Sequence, residues 1–293
     1  LKELKENFSI RKMTVSVVGL GLIGGSIMID LRKRGFATKL IGVDTNIQHC
    51  NIALMCGIAD ETETLENAVA KSDLIILSSP VDANSAMLPE ILDIIGGTGK
   101  VVTDMGSTKS SMALASKDHK HRGRYVAAHP MAGTEYSGPM AAHGRLFDYK
   151  TAIICDPEIS DPDALETVKR MFSTLNMKIV TMNSHEHDIH VAYVSHISHI
   201  TSFSLALSVL DKEHETENIL TLAAGGFEST VRLAKSNGET WAPIFTENAQ
   251  YILEVMDTYI EKMNLFRELI RKRDTAGLKN LMEEANKIRK ILN

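Results

Sequence analysis

Residues 17–26, VVGLGLIGGS, carry three glycines in G-x-G-x-x-G register, Gly19, Gly21 and Gly24, directly after an apolar, β-rich run and at the start of a helical pattern. Each glycine has its own reason to be there. Gly19 permits the tight turn, Gly21 lets backbone approach a pyrophosphate, and Gly24 allows helix and strand to pack closely. Leu22 and Ile23 open the helix, whose N-terminus presents unpaired N–H groups and the positive end of a dipole, so a phosphate site needs no basic side chain. A chain with this turn is constrained to a doubly wound α/β sheet, and the remaining pattern has to agree with that.

The second strand ends IGVD, which puts Asp44 twenty residues after Gly24, where an acid binds ribose hydroxyls. Asp44 would repel a 2′-phosphate, and the neighbouring Thr45 and Asn46 supply no arginine to neutralise one. NAD is therefore expected as cofactor rather than NADP. The uncharged run 13–29 follows a basic IRK and superficially resembles a signal peptide or a short span. Its four glycines within seven positions and the lack of an A-x-A site argue against both, and no other run approaches membrane length.

From residue 13 short apolar runs alternate with helical stretches. Strands are expected at 14–18, 39–43, 73–78, 100–104, 125–128, 151–155 and 178–182, with helices near 22–35, 46–56, 63–71, 81–95 and 108–119, the alternation of a parallel sheet. After residue 183 the chain reads as helices alone, at roughly 184–212, 216–224, 227–236, 240–272 and 275–291. The expected architecture is an N-terminal Rossmann-type doubly wound α/β domain over residues 1–180, with 1–12 as an extension, followed by an all-α domain over 181–293. In the long helix Ile252, Val255, Met256, Ile260 and Met263 fall on several faces, as at a subunit interface or inside a bundle.

A length of 293 residues favours two domains over one. The net charge of −5 gives no electrostatic reason to expect a nucleic acid or an acidic membrane as partner. The three cysteines, Cys50, Cys56 and Cys155, lack redox or zinc spacing, which fits a reducing, cytoplasmic location.

Ligands of doubly wound sheets bind at the carboxyl ends of the strands, and three segments fall there. Ser79 and Pro80, in SSPVDAN, follow the strand 73–78 and belong beside the cofactor; Pro80 also suits the first turn of a helix. Gly106, Ser107 and Lys109 follow the strand 100–104. His129 ends the next strand, where a histidine facing a nicotinamide suits a proton acceptor for an alcohol being oxidised.

Five stretches in order, GLGLIGGS, DMGSTKS, HPMAGTEYSG, VSHISH and GGFESTVRLAKSNGETW, make the chain from about residue 13 to 270 resemble the prephenate/arogenate dehydrogenase family of tyrosine biosynthesis. The resemblance implies a helical domain that forms a homodimer. It implies that His129 is the catalytic histidine on the substrate's ring hydroxyl, and that Ser107 orients it and contacts nicotinamide and substrate. Ser195 and His199 become substrate-side groups of the helical domain, and Arg232 the clamp on a substrate carboxylate. Trp241 becomes a site tryptophan that can come from the partner subunit, and Thr134 and Glu135 polar residues at the entrance. Ser198 stands where proline is frequent, and Ser229 where many members carry an acid. The chain lengths flanking these motifs imply a monofunctional enzyme without a regulatory ACT domain or a chorismate mutase.

His196 and His199 lie three apart, so a metal would need further ligands from a distance. No HExxH and no cysteine partner accompanies them, and the implied chemistry needs no metal, so none is expected. His199 is expected to donate to substrate, His196 to pack behind it, and His185, His187 and His190 to be solvated helix residues. The reaction the resemblance implies is the NAD-dependent oxidative decarboxylation of prephenate to 4-hydroxyphenylpyruvate, with arogenate, converted directly to tyrosine, as the alternative substrate. A β-hydroxyacid-type dehydrogenase and a catalytically silent NAD-binding regulator are the rival readings.

Overall fold

The computed structural model describes residues 13–215 and 219–291; the expected extension 1–12 and the first residues of the expected helix 216–224 lie outside the described residues. Eight strands, β1 (Met13–Val18), β2 (Ala37–Val43), β3 (Glu61–Thr62), β4 (Leu74–Leu77), β5 (Val101–Asp104), β6 (Tyr125–Pro130), β7 (Thr151–Cys155) and β8 (Lys178–Met182), form one sheet in the order β3-β2-β1-β4-β5-β6-β7-β8. The sequence reverses beside β1, so β1 and β4 flank the switch point at which doubly wound sheets bind their ligands.

Strands β1 to β6 are parallel, and each of the first five is followed by a crossover helix, α1 (Leu22–Lys33), α2 (Ile47–Met55), α3 (Leu65–Lys71), α4 (Val81–Ile95) or α5 (Ser110–Ser116). The expected all-parallel sheet holds up to β6, and β7 then runs antiparallel to it. The reason is the connection: residues 131–150 contain only a single 3₁₀ turn, Pro139–Ala141, too little to carry the chain back across the sheet. β8 is parallel to β7 again, through α6 (Pro162–Thr174), a helix absent from the expected set. Pro162 at its first position and buried Ala164, Val168, Met171 and Phe172 at i, i+4, i+7 and i+8 are its sequence signals.

Alternation along the strands splits the core into two layers. Val15, Val17, Leu74 and Ile76 pack with Ile27 and Leu31 of α1 and Val168 and Phe172 of α6. Val18, Ile75 and Leu77 pack on the opposite face with Leu88, Ile91 and Leu92 of α4. Both faces of the central strands are therefore covered, which is why β4 reads as the unbroken apolar run LIIL.

Beyond the sheet, α7 (Ser184–Val191) starts on an Asn183 cap whose side chain accepts the Glu186 N–H. One π-helical turn, Ala192–His196, joins it to α8 (Ile197–Glu215). The expected helix over 227–236 is α9 (Gly225–Val231) followed by a 3₁₀ turn, Arg232–Lys235. Of the expected helix 216–224 the described part contains only the 3₁₀ turn Leu220–Leu222. The expected helix 240–272 is two, α10 (Gly238–Glu247) and α11 (Ala249–Lys272), broken at Asn248, and α12 (Thr275–Ala285) follows.

By backbone contacts the chain divides into compact units at Leu1–Asn248 and Ala249–Asn293, whereas the change from strands to helices expected near residue 180 lies inside the first. In the second unit Ile252 and Val255 are buried, and Leu253, Tyr259, Ile260 and Met263 are exposed.

Candidate active site

The β1–α1 turn is built for close approach. Gly19 has φ +97°, and a Cβ there would stand 2.7 Å from the Ser78 carbonyl carbon and oxygen. A Cβ on Gly24 would stand 2.0 Å from the Gly19 carbonyl oxygen, so α1 could not sit against β1 with any larger residue. Gly21 is different: its Cβ would meet nothing within 4 Å, which leaves open space over the first turn of α1. That turn has Gly21 as cap, no capping side chain and no acid, so its N–H groups remain available to an anion. Leu22 and Ile23 turn their side chains to the core, which leaves backbone as their means of contact with a ligand.

Asp44 closes the turn from β2. Its Oδ2 accepts the Leu20 N–H at 2.9 Å and its Oδ1 the Asn46 N–H at 2.8 Å, while His49 Nδ1 lies 3.2 Å from Oδ2. On the β4 side Ser78 Oγ donates to the Gly19 carbonyl at 2.7 Å, and Ser79 Oγ to the Val18 carbonyl at 3.2 Å. Pro80 caps α4, one position before the first helical turn expected for it. The open space over Gly21 and the acid at the end of β2 match the demands of a dinucleotide's pyrophosphate and ribose.

The β5–α5 turn is rigid because a buried ionic cluster holds it. Lys109 Nζ pairs with Asp104, both fully buried; Asp104 also accepts the Tyr125 hydroxyl at 2.6 Å and the Gly106 N–H at 2.9 Å. Burial, then the Asp104 charge, pushes the Tyr125 hydroxyl well above its ordinary value, so it stays a donor. Ser107 sits half-buried in the middle of this turn.

His129, at the carboxyl end of β6, is 8 % exposed, and its Nδ1 is 2.8 Å from Nε2 of His187. His187 Nδ1 in turn is 2.7 Å from Asp188 Oδ1. Asp188 ties α7 back to the sheet: its two oxygens accept the backbone N–H groups of Lys109 and Ser110, each at 2.8 Å. Burial, reinforced by His187, Lys109 and His196, holds the His129 imidazole well below its usual value, so it is a neutral base.

Expected as a solvated residue, His187 is instead fully buried against His129, whereas His185 and His190 are exposed. The sequence held one signal for this. The inward stripe of α7 at i, i+3, i+4 and i+7 is Ser184, His187, Asp188 and Val191, so polar residues occupy positions that normally carry apolar ones.

The π-helical turn carries Ser195 and His196 and leads into His199, a placement typical of functional segments. His199 Nδ1 donates to the Ser195 carbonyl at 3.1 Å, and its ring stacks on Trp241 at 3.4 Å between centroids. A neutral His199 therefore presents an acceptor at Nε2, and it becomes the expected donor only when protonated. Trp241 makes this stack within the same chain. His196 is buried edge-on to Trp241, and burial lowers its imidazole to about 4. Asn248, at the break between α10 and α11, donates to the Asp188 carbonyl at 2.8 Å and to His196 Nδ1 at 3.1 Å.

Arg232 Nη1 donates to Glu135 Oε2 at 3.0 Å. Glu135's own backbone N–H and then Arg232 hold its carboxyl below the usual range. Thr134, exposed beside it, accepts the Tyr136 N–H at 3.2 Å. Arg232 also bears electrostatically on His199, and His196 on His129, which links the helical residues to the strand-end histidine. Among the described residues no group of three or more His, Cys, Asp or Glu side chains is arranged to hold a metal ion.

A doubly wound sheet with a glycine turn, an acid at the ribose position and a buried neutral histidine at a strand end defines a dinucleotide-dependent dehydrogenase. Two family models match the chain, one described as prephenate dehydrogenase, nucleotide-binding domain, over residues 27–181, and one as prephenate dehydrogenase, dimerization domain, over residues 183–284. The chain is 31 % identical to the prephenate dehydrogenase of Bacillus subtilis, over 91 % of this chain and 72 % of that one. It superposes on prephenate dehydrogenase from A. aeolicus, solved with hydroxyphenyl propionate and NAD+, with a TM-score of 0.82 and 29 % identity, covering 97 % and 99 % of the two chains. Synechocystis arogenate dehydrogenase gives a TM-score of 0.74 at 27 % identity, covering 96 % and 100 %. The chain belongs to the prephenate dehydrogenase family.

Proposed function

We propose that the chain catalyses the NAD-dependent oxidative decarboxylation of prephenate to 4-hydroxyphenylpyruvate. The observation that carries this reading is the neutral, buried His129 at a strand's carboxyl end, in a member of this family. NAD, when bound across the β1–α1 turn, is the hydride acceptor. His129 takes the proton of the ring hydroxyl, Ser107 supports that contact from the β5–α5 turn, and His199 with Ser195 faces the substrate from the helical part.

Arg232 grips a substrate carboxylate by a charge-assisted hydrogen bond, exchanging Glu135 for the ligand, and Trp241 and Thr134 border the same place. Oxidation at the hydroxyl carbon makes the ring carboxylate that of a vinylogous β-keto acid. Its loss as carbon dioxide is driven by aromatisation and asks no further proton acceptor of the protein.

Residues 1–180 are the cofactor half and 181–293 the substrate half in this account. The exposed Leu253, Tyr259, Ile260 and Met263 of α11 support a homodimer, and the unpaired Cys50, Cys56 and Cys155 support a cytoplasmic location. No helix among the described residues is long and apolar enough to cross a membrane.

The test is turnover of the purified protein with prephenate and with arogenate, each with NAD and NADP, following the reduced cofactor and the aromatic product together. Prephenate with NAD, yielding 4-hydroxyphenylpyruvate, is the expected productive pair. Preference for arogenate, with tyrosine as product, reassigns the substrate; silence with all four pairs contradicts the reading.

A further inference from the structure

We propose that His187 and Asp188 are positioning residues of this reaction: they fix the tautomer of His129 so that its Nε2 is free of hydrogen, and they support the positive charge it gains from the substrate's proton. The inference rests on His129 being the proton acceptor.

The assignment follows link by link from Asp188. Its two oxygens accept two backbone N–H groups, from Lys109 and Ser110, so it is an ionised, acceptor-only carboxylate. Burial opposes that charge, yet the hydrogen bonds from His187 and Ser110 overcome it and hold the carboxyl below its ordinary range. His187 Nδ1, 2.7 Å from Oδ1, must then carry a hydrogen. Burial keeps His187 below the usual imidazole value, so it is neutral and its Nε2 is bare. That bare nitrogen lies 2.8 Å from His129 Nδ1, so Nδ1 is the donor. A neutral His129 has one N–H, and it is now assigned; Nε2 is left with its lone pair. Two histidines alone would leave both tautomers open, and the carboxylate removes the ambiguity.

The arrangement has the logic of a serine-protease triad with a second imidazole inserted, in which the carboxylate orients the ring and is not itself protonated. In the step, the substrate O–H bond breaks and an Nε2–H bond forms. The O–H electron pair becomes the second carbonyl bond as the hydride leaves for NAD. His129 is then an imidazolium whose Nδ1–H still points at a neutral acceptor backed by a negative charge. The other charged or titratable groups facing the pair are Lys109 and Asp104, which neutralise each other, and His196.

Three variants separate this proposal from the reading beneath it. His187→Asn keeps a donor for Asp188 but cannot reach His129; His187→Gln brings an amide oxygen near the lost ring nitrogen; His129→Asn removes the base. In His187→Asn, turnover should fall roughly 10- to 1,000-fold, less than the full loss of a positioned acid–base group, with NAD affinity and thermal midpoint little changed. The acid limb of its pH–rate profile should also move, because the His129 imidazolium has lost both its acceptor and the neighbouring ring that acts on its value. His187→Gln should recover most of the loss.

If His129→Asn is crippled while His187→Asn keeps wild-type turnover and the wild-type pH profile, the positioning role is overturned and the base survives. If His129→Asn is fully active, the underlying reading itself fails. Nitrogen NMR of the histidine-labelled wild-type protein needs no variant to fold. Both His129 and His187 should show a protonated Nδ1 and an unprotonated Nε2, and the opposite tautomer at either ring overturns the proposal.

Discussion

Arg232 shows how the resting partner of a side chain prepares it for a ligand. Its ion pair with Glu135 joins a side chain that is 51 % exposed to one that is 19 % exposed, so water already competes for the contact and substrate displaces it at little cost. The pair still holds the guanidinium in place before substrate arrives. Arg232→Gln should therefore leave the fold and the NAD affinity intact and raise KM for prephenate roughly 10- to 100-fold, as expected for a lost hydrogen bond to a charged group. Steady-state kinetics with prephenate varied at saturating NAD would check this, and an unaltered KM would remove Arg232 from the clamp. His129 was legible because a strand's carboxyl end is a defined place in this fold. His187 and Asp188 were signalled only by the polar residues on the inward stripe of α7, since His129, Lys109 and Ser110, with which they pair, lie on other elements.

At the scale of elements, the glycine turn separates two demands that one motif merges. Gly24 is required by the fold, since a Cβ would collide with the Gly19 carbonyl and Val17, whereas Gly21 faces open space and packing alone does not require it. Gly24→Ala should lower the thermal midpoint strongly or prevent folding. Gly21→Ala should cost no more than about 1 kcal/mol of stability, the scale of an N-cap change, and still weaken NAD binding at least tenfold. Calorimetry and NAD titration on both variants would test the separation; equal effects on stability would contradict it. The strand and helix alternation was readable because apolar period and glycine placement are local signals. The antiparallel β7, the two-residue β3 and the break at Asn248 depend on pairing and on a side chain's distant partners, His196 and the Asp188 carbonyl, which no local pattern records.

Over the whole molecule, keeping His129, His187 and His196 neutral and buried makes stability depend on pH. All three have folded values below their unfolded ones, so below about pH 6.5 the unfolded chain binds more protons and stability falls with falling pH. For His196 the loss runs from the ordinary value of 6.5 to about 4 and amounts to roughly 3 kcal/mol. Carboxylates such as Asp148, held near 2 by Arg34 and Arg145, add to the loss only at lower pH. Melting curves between about pH 7.5 and about pH 4.5 should show a falling midpoint across that window. A flat midpoint would mean that these rings are not buried neutral.

The most direct test of the account is prephenate-dependent NAD reduction by the wild-type protein and by His129→Asn, with NAD affinity measured on both. The wild type should turn over and the variant should lose roughly two to four powers of ten in kcat while binding NAD equally well. A wild type that does not reduce NAD with prephenate, or a variant that does so at the wild-type rate, would contradict it.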